Sequence, residues 1–213
     1  MGDWFSTGYA HVPAEPNVDR NMHPRLNSPQ ILLDNGIDKD MLDPKLDNDP
    51  SVIHDRGKLY CWQGCILDEG WHRFALNVRG KYDDDWLRNK DWQIAFHGTP
   101  IENIQSILRD GYKPGEKKGP NGISVYTTPS LSLAFNYAKM FEYNGQKYHA
   151  IIENRVNCDN TQHTQIDNES NYWLSRHHSQ AIRPCAILIL DHKWTGKLFS
   201  LEKQCSELWK TNR

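Results

Sequence analysis

The residues best suited to chemistry lie between positions 97 and 137. His97-Gly98-Thr99 ends the apolar run WQIAFHG and opens a helix signal, so an imidazole is presented at a strand end beside free backbone N–H groups. Such a placement suits polar grips on a sugar hydroxyl and a carboxamide. The plainer alternative is a strand-end histidine bonded to a loop, with Thr99 serving only as a helix cap. Tyr126 falls in a strand expected over residues 123–127, and Tyr137 follows eleven residues later on an expected helix. Two tyrosines so placed can face each other across a strand-to-helix turn and sandwich a flat ring, although either one alone reads as a core aromatic. Metal chemistry finds less support. Cys61 and Cys65, flanked by His54 and His72, lack the two-residue ligand gap and no second Cys pair follows, so structural thiols and no metal are expected. Asp83, Asp84 and Asp85 lack the rest of a calcium loop's ligand pattern and read as a solvated loop.

The elements that must position these residues are short. Residues 11–58 are rich in Pro, Asn and Asp and read as an arm, with helical turns only around Ile31 to Leu33 and Met41 to Leu42. From Leu59 the runs LYCWQGCIL, RFALNV and WQIAFHG are β-like. IENIQSILRDG puts Ile101, Ile104, Ile107 and Leu108 on one helical face and stops at Gly111, an expected left-handed cap. Thr99, Pro100 and Glu102 predict a capping box at its start. A strand ending at Pro129 comes next, then SLSLAFNYAKMF as a second amphipathic helix with Leu131, Ala134, Phe135 and Ala138 buried. YHAIIENRV, NYWLS and AIRPCAILIL complete the chain as strands. Strands with a few segregated helices give an α+β fold, with an arm over 1–58 and a compact domain over 59–213.

Composition narrows the function. The 213 residues carry 25 basic and 27 acidic side chains, and residues 1–90 hold 15 of the acidic but only 11 of the basic ones. A near-neutral chain whose acidic excess lies at the front has no electrostatic footprint for duplex nucleic acid. No run of eighteen apolar residues exists and the first twenty residues lack a basic-then-apolar leader, which predicts a soluble chain with no membrane contact. Five scattered cysteines read as reduced thiols in a cytosolic setting. Eight Trp and an aromatic share of 11% provide core material despite a mean hydropathy of -0.77.

FHGTPIENIQSILRDGY followed by GISVYTTPSLSLAFNY resembles the NAD-binding core of the poly(ADP-ribose) polymerase-like ADP-ribosyltransferases, over residues 91 to 190. The resemblance implies a split β-sheet core with two short helices, and NAD as substrate. It implies that His97 contacts the adenine-side ribose, that the Gly98 backbone grips the nicotinamide amide, and that Tyr126 and Tyr137 stack on the nicotinamide ring. Thr99 completes the first motif. The family's serine three residues before the second tyrosine is Ala134 here, with Ser132 one helical step away. Aligning SQAIRPCAILI with the strand that carries the family's catalytic glutamate places Gln180 in that position, and a neutral amide cannot stabilise a cationic ribose by charge. Polymer elongation is therefore not expected.

What the resemblance then implies is mono-ADP-ribosyl transfer to a protein side chain, with a catalytically inactive nucleotide- or protein-binding fold as the alternative. Glu153 is a candidate base, against the plainer reading of a solvent-facing strand charge. Arg155 and Arg183 are candidates to hold a pyrophosphate, and His177 and His178 further bases, each with a bland alternative that carries more weight. The flanking segments EGWHRFALNVRGKYDDDW, NRVN and IRP resemble a narrower group of ADP-ribosyltransferase-like proteins found in bacteria and fungi, and by overall resemblance the chain is similar to bacterial effectors that ADP-ribosylate ubiquitin on a threonine. That likeness implies ubiquitin as protein acceptor and a cytoplasmic site of action, in a host cell if the chain is secreted without a cleaved signal. An Arg-Ser-Glu type of transferase would need Arg73 near the HGT strand, and an RNA 2'-phosphotransferase would need a basic groove.

Overall fold

Two apolar runs set the architecture. β5, Gln146–Asn157, and β8, Ile182–Asp191, pair antiparallel at the centre of a five-stranded sheet. β1, Trp71–Ala75, lies on the far side of β8, and β2, Trp92–Gly98, lies on the far side of β5. The computed structural model describes residues 29–47, 71–82, 92–113, 124–157, 162–165, 171–175 and 181–195. β5 is buried without a break from Tyr148 to Val156, which requires apolar cover on both faces of the sheet. One cover is the ten-residue helix α2, Ile101–Asp110, with the short helix α1, Gln30–Asp34. Their Ile31, Leu32, Ile101, Ile104 and Leu108 share a core with Ala150, Ile152, Ile187 and Ile189. The other is α3, Leu131–Phe135, whose Leu131 and Ala134 pack with Ile94, Phe96, Ile151 and Leu188. The period-2 alternation of β5 thus assigns Ile152 to the α2 side and Ile151 to the α3 side.

A smaller sheet of β3, Val125–Thr127, β7, Asn171–Ser175, and β6, Gln162–Gln165, follows in the order β3-β7-β6. It is tied to the large sheet by the reciprocal pair Phe96 N–H to Thr128 O at 2.7 Å and Thr128 N–H to Phe96 O at 3.0 Å. The end of β2 therefore lies where the two sheets meet. The fold is α+β with a mainly antiparallel sheet and few helices.

Several expectations change. The second helix stops at Phe135, and β4, Met140–Tyr143, turns back onto β5 through Asn144 and Gly145. Both turn residues have positive φ, 49° and 73°, the type I′ geometry that Asn-Gly favours between antiparallel strands. Thr99 is no cap, because Pro100 is extended at φ -57°, ψ 143° and the helix begins at Ile101; the Thr99 hydroxyl accepts from Asn103 Nδ2 at 3.2 Å instead. Gly111 does close α2 with positive φ, 82°, but its ψ of 175° is extended rather than left-handed helical. The expected arm is not all peripheral. Ile31, Leu32, Ile37 and Leu42 are core residues, and the stretch from Met41 to Asp47 shields the outer edge of β1. There Asp43 N–H donates to Ala75 O at 2.9 Å, and Ala75 N–H donates to Asp47 Oδ1 at 2.7 Å. Covering an edge strand in this way removes a template for pairing with another chain. The expected strand LYCWQGCIL lies outside the described residues. Among the described residues no helix is long and apolar enough to cross a membrane.

Candidate functional site

The end of β2 presents its last two residues to opposite faces. His97 pairs in register with Ile152 and so faces α2, while Gly98 pairs with Ile151 and faces α3. The half-buried His97 ring packs edge-on against Tyr112, with centroids 5.0 Å apart at 74°. Its Nδ1 lies 2.8 Å from the Tyr126 carbonyl oxygen. A carbonyl only accepts, so Nδ1 carries the proton and Nε2 of the neutral ring is an acceptor. Burial lowers the His97 pKa, with the Tyr126 carbonyl working against it, and this favours the neutral ring. Among the described residues nothing bonds to Nε2. Tyr112 is itself fixed by donating its hydroxyl to Asn154 Oδ1 at 2.7 Å. Neither residue stood out in the sequence; the aromatic immediately after the helix-ending Gly111 was the available signal for Tyr112.

Gly98 is required by packing. A Cβ there would sit 1.8 Å from the Ala134 carbonyl oxygen and 3.0 Å from the Ala138 nitrogen, so the last turn of α3 rests directly on the β2 backbone. The same Ala134 oxygen accepts from Tyr137 N–H at 3.0 Å. Tyr137 thus lies in the turn after α3, not within a helix, and is 56% exposed. Tyr126 is half-buried in β3. Ser132 lies in the first turn of α3, its Oγ 3.1 Å from that of Ser130, and Ser130 caps the helix by accepting from Leu133 N–H at 3.1 Å. His97 and Tyr126 are therefore joined directly, while Gly98 and Tyr137 are joined through Ala134.

No protein-family model and no curated protein matches the chain.

Glu153 lies elsewhere. It is buried on the α3 side of the sheet, opposite Phe96 in β2 and Ala186 in β8, rather than facing solvent. Arg73 on β1 reaches it with Nη2 to Oε1 at 3.1 Å and Nε to Oε2 at 3.1 Å, and the same guanidinium donates to the carbonyls of Leu46 and Asp47. A register shift between Glu153 and Asn154 accommodates Pro184, which has no N–H for the ladder, and brings Cys185 Sγ within 3.4 Å of Glu153 Oε1. Burial alone would raise the Glu153 carboxyl, but the Arg73 charge and hydrogen bonds outweigh it and hold the group below its ordinary value. A carboxylate so committed is a poor proton acceptor for an incoming hydroxyl. Arg73 is accordingly a structural partner on the edge strand. Each charge sits within a β run, but nothing local in the sequence pairs the two. Arg155 Nη1 donates to Trp92 O at 3.1 Å, and the Arg183 guanidinium lies 4.2 Å from the Trp92 ring centroid and 4.6 Å from that of Tyr82. Gln180, His177, His178, Cys61, Cys65, His54 and Asp83 to Asp85 lie outside the described residues. Among the described residues, no group of three or more His, Cys, Asp or Glu could hold a metal ion.

Proposed function

We propose that the chain is a mono-ADP-ribosyltransferase that takes NAD as substrate at the end of β2. The observation that carries this reading is the His97–Tyr126 contact. It fixes the proton on Nδ1, so that in the neutral ring, which burial favours, Nε2 is an acceptor with the polarity to take a hydrogen bond from a ribose hydroxyl. The turn that carries the exposed Tyr137 rests on Gly98 through Ala134 and Ala138, and Tyr137 is the second aromatic that this reading uses. Transfer would break the bond between the ribose C1 and the nicotinamide nitrogen, whose electron pair leaves with neutral nicotinamide. An acceptor hydroxyl then forms the new C1–O bond and releases its proton to solvent. The chain's part is to orient the sugar and hold the leaving ring.

The test is release of nicotinamide and addition of one ADP-ribose unit to a protein acceptor, with a threonine of ubiquitin as the first acceptor to try. His97→Ala is expected to raise the NAD requirement about 3- to 10-fold, the worth of roughly one hydrogen bond, without unfolding the chain. Tyr126→Ala and Tyr137→Ala should each weaken NAD binding by about 1 to 3 kcal/mol, as for a base lost from an aromatic platform. Unchanged NAD binding in all three variants would remove the site. A second reading, an inactive nucleotide-binding fold, is favoured by one observation: Glu153, the acidic candidate, is locked to Arg73. Calorimetry that shows NAD bound with no nicotinamide released, whatever the acceptor, would select it.

A further inference from the structure

The bond to the Tyr126 carbonyl locates the His97 proton, but one hydrogen bond does not fix the plane of a ring. An imidazole held only through Nδ1 can rock about that contact, since the χ2 torsion of histidine is broad, and each change of tilt re-aims the Nε2 lone pair. What lies against the ring therefore decides its aim. That neighbour is Tyr112, the residue after Gly111 at the end of α2, with ring centroids 5.0 Å apart and planes at 74°. Tyr112 is buried, and its hydroxyl donates to Asn154 Oδ1 at 2.7 Å. Asn154, fully buried in β5, donates in turn from Nδ2 to the carbonyls of Ile152 at 3.1 Å and Ala95 at 3.4 Å. Ile152 is the register partner of His97, and Ala95 lies two residues before His97 in β2. The anchor is thus built on the same two strands that carry the imidazole.

We propose that Tyr112 is a positioning residue for His97: its ring, pinned at the hydroxyl by Asn154, fixes the tilt of the imidazole and with it the direction in which Nε2 meets a ribose hydroxyl. The use made of Nε2 rests on the transferase reading, whereas the pinning of the ring does not. Space-filling alone gives no reason for the hydroxyl, because phenylalanine packs the same ring without burying a polar group. The hydrogen bond to Asn154 instead holds the ring along its long axis, and a T-shaped pair keeps its geometry only while both rings stay in place. Burial pushes the Tyr112 hydroxyl well above its ordinary pKa, with the Asn154 bond working against that, so the group stays protonated and remains a donor. Asn154 is itself held at both ends of its amide, beside the register shift that β5 makes against β8 between Glu153 and Asn154.

Tyr112→Phe in the full chain keeps the ring and removes the pin. Nitrogen-detected NMR without NAD should show a single neutral tautomer of His97 in the wild-type chain, with the proton on Nδ1, and a mixture of both tautomers in the variant, because a rocking ring loses its straight bond to the Tyr126 carbonyl. In turnover, Tyr112→Phe should raise the KM for NAD about 2- to 5-fold and leave kcat unchanged, a loss within that of His97→Ala because the pin is worth about one hydrogen bond. The double variant His97→Ala with Tyr112→Phe should bind NAD no more weakly than His97→Ala alone, as expected of a residue that acts through another. Additive losses in that cycle, or a His97 tautomer that Tyr112→Phe leaves unmoved, would overturn the proposal. Should the variant fail to fold, the wild-type chain still decides: a slowly exchanging Tyr112 hydroxyl proton and cross-relaxation between the Tyr112 and His97 rings are expected, and the absence of either overturns the pin. A chain that shows the pin and the tautomer change but binds no NAD sinks only the transferase reading.

Discussion

Arg73→Ala is expected to cost about 3 to 5 kcal/mol of folding stability, the usual consequence of leaving a buried charge without its partner. The substitution strands the Glu153 carboxylate, 2% exposed, and removes the donor to the Leu46 and Asp47 carbonyls, so the segment that shields β1 loosens as well. Glu153→Gln should be destabilising for the mirror reason, since it leaves the guanidinium buried and unneutralised. The double variant Arg73→Met with Glu153→Leu should recover most of the loss, because an apolar pair of similar volume has no desolvation to offset. Urea denaturation of the four proteins compares them, and a loss under about 1 kcal/mol for Arg73→Ala would mean that water reaches the pair. The pH dependence gives a separate check. The Glu153 pKa is depressed in the folded chain relative to its ordinary 4.5, so the folded state binds fewer protons there. Its contribution is full above that value and is lost as pH falls through the lowered pKa. The wild-type chain should lose stability in that acid range and the double apolar variant should lack that part of the slope.

How much of this was visible beforehand depended on whether the deciding interaction was local. β2, β5, β8 and α2 follow from apolar periodicity, because each is long enough for its own pattern to outweigh its neighbours. α3 was read too long since Ala138, Met140 and Phe141 extend a helical stripe, yet Asn144-Gly145 makes a hairpin turn and β5 offers a strand edge next to it. Thr99 carried a valid capping pattern that Pro100 displaced by one residue. The arm was judged by its Pro and Asn content, which says nothing of the four apolar side chains that the sheet buries. His97 and Tyr126 lie in contact because they sit on two strands that meet at the end of β2, a local arrangement that the order of the two runs already suggests. The commitment of Glu153 was not legible, because its partner is eighty residues away and only the sheet order brings them together.

Gly98→Ala should be the most disruptive single methyl among the described glycines. The new Cβ would lie 1.8 Å from the Ala134 carbonyl oxygen and 2.9 Å from its carbonyl carbon, and both are backbone atoms that no rotamer change can move aside. Either β2 or the end of α3 must shift, at the cost of about 1 to 3 kcal/mol or more that overpacking brings. Gly111→Ala is the informative contrast. Gly111 has φ 82° and ψ 175° with open space where a Cβ would go, so its substitution meets no clash and incurs only backbone strain of about 1 to 3 kcal/mol. Ala134→Gly should not rescue Gly98→Ala, because the clashing oxygen remains. The displaced carbonyl is also the acceptor for Tyr137 N–H, so the shift is carried into the exposed ring beside the strand end. On the proposed transferase reading, loss of NAD binding should then exceed what the change in stability alone predicts, whereas Gly111→Ala should leave binding near its original value. A folded Gly98→Ala chain with unaltered Tyr137 amide and ring signals would show that the two backbones are not in contact, and with that the link between Gly98 and the Tyr137 turn would fail.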